Sequence, residues 1–108
     1  MRIVLDACVP QPLRHNFEEH EVFTARFLRL HELDDAELLD AIEAGYDALV
    51  TCDRSIPWQN QFAGRGIALI ILRARTNKLA DLEMLVPDVL RALRDIKPGE
   101  IREVAAPD

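Results

Sequence analysis

Cysteine is scarce in this sequence: only Cys8 and Cys52 occur, and they share no C-x-x-C spacing. A chain of 108 residues buries roughly two-thirds of its unfolded surface, so it needs no disulfide framework and no structural metal to fold. Both cysteines therefore read as small buried apolar residues of a reducing cytosol. With four glycines and six prolines, the composition excludes collagen-like and low-complexity chains. No internal repeat or linker interrupts it, and a single domain over 1–108 is expected. Long apolar runs are also missing. The longest, Ile67 to Leu72, is too short to span a bilayer, and the first residues lack a signal-peptide pattern, so a cytoplasmic protein with no membrane partner is expected. A basic excess is absent too: the net charge of −6 argues against a protein that coats nucleic acid.

The charge that is present is unevenly placed. Residues 1–53 carry 12 acids and four bases, whereas residues 54–108 carry seven acids and nine bases. No Asp or Glu falls between Arg54 and Ala80, a stretch that holds Arg54, Arg65, Arg73, Arg75 and Lys78. An acidic half meeting a basic strip suggests a site that handles an anion through bound cations.

Hydrophobic periodicity predicts alternating strands and helices. Arg2–Leu5 is a short apolar strand that stops at Asp6 before Pro10 and Pro12. A helix is expected over about 12–19, with Leu13 and Phe17 on one face, and a second strand over 22–25. Asp34 and Glu37 form a capping-box pair that opens a helix whose inward face is Leu38, Leu39 and Ile42, with Gly45 as its C-cap. Ala48–Cys52 is a third strand, ending at Asp53. Ile67–Leu72 is apolar on both faces, the pattern of a parallel strand covered by helices. Thr76 or Asn77 is expected to cap a leucine-rich helix over 78–95, which Pro87 kinks or splits. Ile101–Val104 alternates like an edge strand. This order predicts an α/β fold with an open, mainly parallel β-sheet flanked by helices on both faces.

In such folds ligands bind beyond the carboxyl ends of the strands. Asp6 and Asp53 sit at that edge, as does Asp35 at the start of the helix following strand two. Asp35 shares the inward face of Leu38, Leu39 and Ile42. Capping accounts for Asp34 and Glu37 but leaves Asp35 unexplained. Three carboxylates converging on one crevice need a cation or a shared proton. Carboxylates and water are the hard ligands that Mg²⁺ or Mn²⁺ prefers, and His15, His20 and His31 have no zinc-site spacing. Asn77 reaches the same edge at a helix N-terminus suited to phosphate oxygens. Arg54, Arg75 and Lys78 lie in these loops and suit a phosphate backbone. Gln59, with Asn60 and Gln61 behind Trp58, offers hydrogen bonds and a stacking face for unpaired bases. Structural alternatives stay open: an Asp at a strand end also serves in turns, Asn77 is also a good cap, and Trp58 also suits a lid over the core.

Arg2-Ile-Val-Leu-Asp6-Ala-Cys-Val-Pro10, Asp35-Ala-Glu-Leu-Leu39 and Leu49-Val-Thr-Cys-Asp53-Arg54 together resemble the PIN-like domain superfamily. The resemblance is to small bacterial PIN-like proteins related to VapC-type toxin ribonucleases, and it spans nearly the whole chain. It implies a metal-dependent endoribonuclease that cleaves single-stranded RNA, in which Asp6, Asp35 and Asp53 hold Mg²⁺ or Mn²⁺. Such proteins often pair with an antitoxin and form homodimers, so both partners are expected on that basis. PIN nucleases commonly place a further acid shortly after the position of Asp53, where this chain has Arg54, Ser55 and Ile56. A fold that has lost activity and serves as a binding module is therefore an alternative. Asp53-Arg-Ser-Ile-Pro57 and Lys97-Pro98 also resemble the phosphoacceptor loop and lysine-proline pair of response-regulator receiver domains, although Leu5-Asp6-Ala7 offers one acid where a receiver has two.

Overall fold

β1 (Arg2–Leu5) carries three fully buried side chains in a row, Ile3, Val4 and Leu5, so apolar residues face both sides of the sheet. β3 (Ala48–Thr51) and β4 (Ala68–Arg73) share this pattern, which suits strands covered on both faces. β2 (Glu21–Thr24) and β5 (Ile101–Ala105) are partly exposed, as edge strands are. In the computed structural model, which describes residues 1–54, 62 and 64–106, these strands form one sheet in the order β2-β1-β3-β4-β5. Every neighbouring pair is parallel: Leu5 lies opposite Thr24 on one side and Val50 on the other, Thr51 opposite Ile71, and Leu72 opposite Val104. The expected open parallel α/β architecture is thus observed.

Two cores sandwich the sheet. On one face Val4, Leu49, Leu69 and Ile71 pack with Leu38, Leu39 and Ile42 of helix α1 (Asp35–Ile42). On the other, Ile3, Leu5, Val50 and Ile70 pack with Leu13, Phe17, Leu82, Val86, Val89 and Leu93. These come from the 3-10 helix Gln11–Asn16 and its exit, and from helices α2 (Leu79–Glu83) and α3 (Val86–Leu93). The helix-forming surfaces are those that the periodicity indicated.

Local chemistry changes several boundaries. The segment expected as a helix over 12–19 is a six-residue 3-10 helix, because Pro10 and Pro12 remove donors that an α-helical first turn and its entry would use. Leu13 and Phe17 are still buried together. The capping box of α1 forms as expected: Asp34 Oδ1 accepts from the Glu37 N–H at 2.8 Å, and Glu37 Oε1 accepts from the Asp34 N–H at 3.2 Å. Gly45 is not its C-cap, since α1 ends at a right-handed Glu43 whose N–H still reaches the Leu39 carbonyl. The 78–95 pattern splits, and Pro87 stands in the first turn of α3, where its missing N–H costs nothing. Neither Thr76 nor Asn77 caps α2. Lys78 holds that position without a side-chain bond, while the Thr76 hydroxyl accepts from the Lys78 N–H at 3.1 Å and donates to Asp81. Among the described residues no helix is long and apolar enough to cross a membrane.

Candidate functional site

The strand order reverses direction between β1 and β3. The first crossover runs outward to β2, and the next returns past β1 to β3. The loops leaving β1 and β3 therefore diverge and leave a crevice at their carboxyl ends. An open cleft of about 740 Å³ lies there, lined by Asp6, Asp35, Asp53, Arg54 and Asn77. Cys8 and Cys52 complete its wall. Five residues singled out from sequence are thus gathered by the fold, from four separate stretches of chain. Arg75 and Lys78 are exposed on the loop that carries Asn77 but are not on the cleft wall. Gln59, with Trp58, Asn60 and Gln61, lies outside the described residues.

Thr51, the last residue of β3, organises the floor. Its side chain is fully buried. Its hydroxyl donates to Asp6 Oδ2 at 2.8 Å, accepts from the Asp53 N–H at 3.1 Å and lies 3.4 Å from Cys8 Sγ. Asp6 Oδ1 accepts from the Ala7 N–H at 2.8 Å, and the Asp6 main-chain N–H continues the sheet by donating to the Val50 carbonyl. Asp6 is thereby held rigidly by N–H and O–H dipoles. One hydroxyl links the carboxylate after β1 to the backbone of the acid after β3.

Asp35 begins α1 directly after its cap, half-buried over the same edge. Its carboxyl is pushed above the usual range first by burial, then by the negative charges of Asp6, Asp53 and Asp34. Asp6 and Asp53 therefore both act electrostatically on Asp35. Among the described residues, however, no group of three His, Cys, Asp or Glu side chains is arranged to enclose a metal ion. A closed protein cage is not the geometry present. Mg²⁺ and Mn²⁺ do not require one, because Mg²⁺ characteristically keeps several waters and binds through one or two carboxylates. The carboxylate oxygens of Asp6, Asp35 and Asp53 are hard donors of the kind a hydrated cation takes, on a wall they share with Arg54, Asn77 and two thiols.

The expected helix N-terminus behind Asn77 is less than was anticipated. α2 has five residues, too few to build an appreciable dipole. Asn77 enters the cleft through its position in the loop after β4 and is not engaged as a cap.

The cysteines also depart from expectation. Cys52 is buried, but Cys8 is exposed in the cleft wall and is not a core residue. The Cys8 thiol is drawn down to about 7, chiefly by a hydrogen bond from the Cys52 side chain, with burial opposing; the Cys52 thiol is pushed up for the complementary reason. Cys8 stands two residues after Asp6, and Cys52 directly before Asp53, so the strand-edge reasoning that located the aspartates applies equally to both thiols.

Comparison with protein-family models, with curated proteins and with solved structures returns no match.

Proposed function

We propose that this chain is a PIN-like, Mg²⁺- or Mn²⁺-dependent endoribonuclease that hydrolyses phosphodiester bonds in single-stranded RNA. One observation carries the reading: Asp6, Asp35 and Asp53 line one cleft at the reversal point of the sheet, together with Arg54 and Asn77. Like charges gathered at such an edge disfavour the empty fold and favour a cation. Asp6 and Asp53 would hold that cation, with Asp35 beside them. When bound, the metal would lower the pKa of a coordinated water and neutralise charge on the phosphate.

The chain's own residues would do the rest. Thr51 fixes the Asp6 carboxylate, so that oxygen geometry is set before substrate arrives. Asp35, with its raised proton affinity, suits the acceptance of a proton from the attacking water. The Asn77 amide would orient water or a phosphate oxygen. Arg54 at the cleft, with Arg75 and Lys78 further along the next loop, would position the backbone and so set affinity more than sequence choice. Gln59 would contact bases. An antitoxin and a second copy of the chain are the protein partners that fit this reading, and the cytoplasm is its compartment.

The receiver alternative has less support. The Gly99 N–H donates to the Ile67 carbonyl, just ahead of β4, which sets Lys97-Pro98 at the amino edge of the sheet, opposite Asp53. An inactive binding module is the stronger competitor, because Arg54 stands where a further acid is usual.

The test is cleavage of a mixed pool of labelled single-stranded RNAs with Mn²⁺, with Mg²⁺ and with EDTA, alongside Asp6→Asn and Asp53→Asn. Cleavage that EDTA and both substitutions abolish, in variants that melt like the parent, is the expected result. Equal cleavage by Asp53→Asn would remove the catalytic assignment. A protein that binds RNA in this cleft and never cuts it would establish the binding module.

A further inference from the structure

Two thiols meet where β1 and β3 end. Parallel neighbours run about 4.8 Å apart, and after Leu5 the chain from β1 doubles back: the Val9 N–H donates to the Asp6 carbonyl at 2.9 Å, closing a turn with Ala7 and Cys8 at its tip. That turn lays Cys8 over Cys52. Cys8 Sγ accepts from the Cys52 main-chain N–H at 3.3 Å, while the Cys52 thiol donates to the Cys8 carbonyl at 3.2 Å. Each sulfur rests on the other residue's backbone, in a reciprocal clasp. These two contacts, at 3.3 and 3.2 Å, bring the two cysteines together across the ends of β1 and β3, the proximity that a disulfide requires.

Exposure divides the pair by role. Cys8 is exposed to the cleft, and Cys52 is buried with 6% of its surface accessible. Of the two residues on the cleft wall, Cys8 is the one more open to an incoming oxidant. This is the arrangement of an attacking thiol with a resolving thiol behind it.

We propose that Cys8 and Cys52 are a redox-active dithiol that closes into an intramolecular disulfide by exchange with a low-molecular-weight disulfide. The Cys8 thiolate attacks one sulfur of R–S–S–R, forming a Cys8–S–S–R bond and releasing RS⁻. The Cys52 thiolate then attacks the Cys8 sulfur, forming the Cys8–Cys52 bond and expelling the second RS⁻. The two protons given up by the cysteines end on the two released thiolates. Two electrons pass from the protein to the small disulfide, which is reduced to two thiols. Closure also ties Cys8 Sγ to Cys52 beside the Thr51 hydroxyl, so the oxidation state is set at the floor of the cleft. The inference stands on the clasp and does not depend on the nuclease reading.

The experiment treats the folded, full-length chain with glutathione disulfide and reads intact mass and free thiols under non-reducing conditions. The expected product is a monomer lighter by two hydrogen atoms, with both thiols lost together and both restored by dithiothreitol. Cys52→Ser should instead stop at one stable glutathione adduct on Cys8, and Cys8→Ser should stay unmodified until denatured. A parent protein that accumulates a stable adduct on Cys8, cross-links between chains or keeps both thiols free would overturn the proposal. The mass measurement on the parent decides this even where a variant fails to fold.

Discussion

The two edges of the sheet treat charge in opposite ways. Toward the amino edge, cations and anions are matched. The Arg2 N–H donates to Asp47 Oδ2 at 2.8 Å, while its guanidinium pairs with Glu21 at 3.3 Å and stacks 4.8 Å from the Tyr46 ring centroid. Arg65 joins Asp40 at 2.9 Å and Glu43 at 3.3 Å, and Arg102 reaches Asp95 at 2.6 Å. At the carboxyl edge three aspartates line one cleft, and burial, followed by the charges of Asp6, Asp53 and Asp34, raises the proton affinity of Asp35. At the amino edge paired charges hold elements together; at the cleft three carboxylates share one wall with Arg54, at a cost to stability. Such a cost persists where a site needs the charges.

The contrast can be tested from both sides. The largest effect expected is from Mn²⁺: at a hundredfold excess over its Kd, binding to the cleft should stabilise the fold by about 2.7 kcal/mol. Urea unfolding with and without the ion reads this gain, and Asp53→Asn should abolish it. Thr51→Val should cost about 1–3 kcal/mol, because it removes the hydroxyl that donates to Asp6 and accepts from the Asp53 N–H in the cleft floor. The same denaturation measures that loss. At the amino edge, Arg65→Met should cost about 0.5–1 kcal/mol, a penalty that shrinks in high salt as partly exposed pairs do.

Asp35→Asn should have the smallest effect and the opposite sign, a slight gain in melting temperature at neutral pH. Its carboxyl holds the proton more tightly when folded than when unfolded. The stability it contributes is therefore complete below the unfolded value near 3.8 and is lost as pH rises through the folded value. The melting temperatures of parent and variant should converge in acid and separate as pH rises, with the variant higher. A variant less stable than the parent at neutral pH would break the contrast between the edges.

Much of this arrangement is legible in the residues themselves. The runs Ile3-Val4-Leu5 and Leu69-Ile70-Ile71-Leu72 reveal strands buried on both faces, and the Asp34–Glu37 pair marks the start of α1 to the residue. Strand ends at Asp6 and Asp53 follow from the same pattern, and parallel topology brings them together. What escaped depends on contacts over long sequence separations. Thr51 looks like an ordinary β-branched strand residue until Asp6, 45 residues away, supplies the partner for its hydroxyl. Cys8 reads as core because short-range patterning does not show that the turn at Asp6 carries it over Cys52. Asn77 satisfies cap preferences, yet Thr76 already accepts from the Lys78 N–H and leaves Asn77 to the cleft.

The uniformly parallel sheet also governs how the chain reaches its native state. Among the described residues no two neighbouring strands are joined by a hairpin, so each parallel pairing must wait for an intervening crossover. β1 meets β3 only after more than forty residues of loop have been closed, which puts the bond between Thr51 and Asp6 among the contacts with the highest entropic cost before reward. A nascent chain therefore carries Asp6 and its turn long before it carries a cleft. Chemistry at the carboxyl edge becomes available as a late, cooperative event, once β3 has docked beside β1 and the Asn77 loop has followed β4.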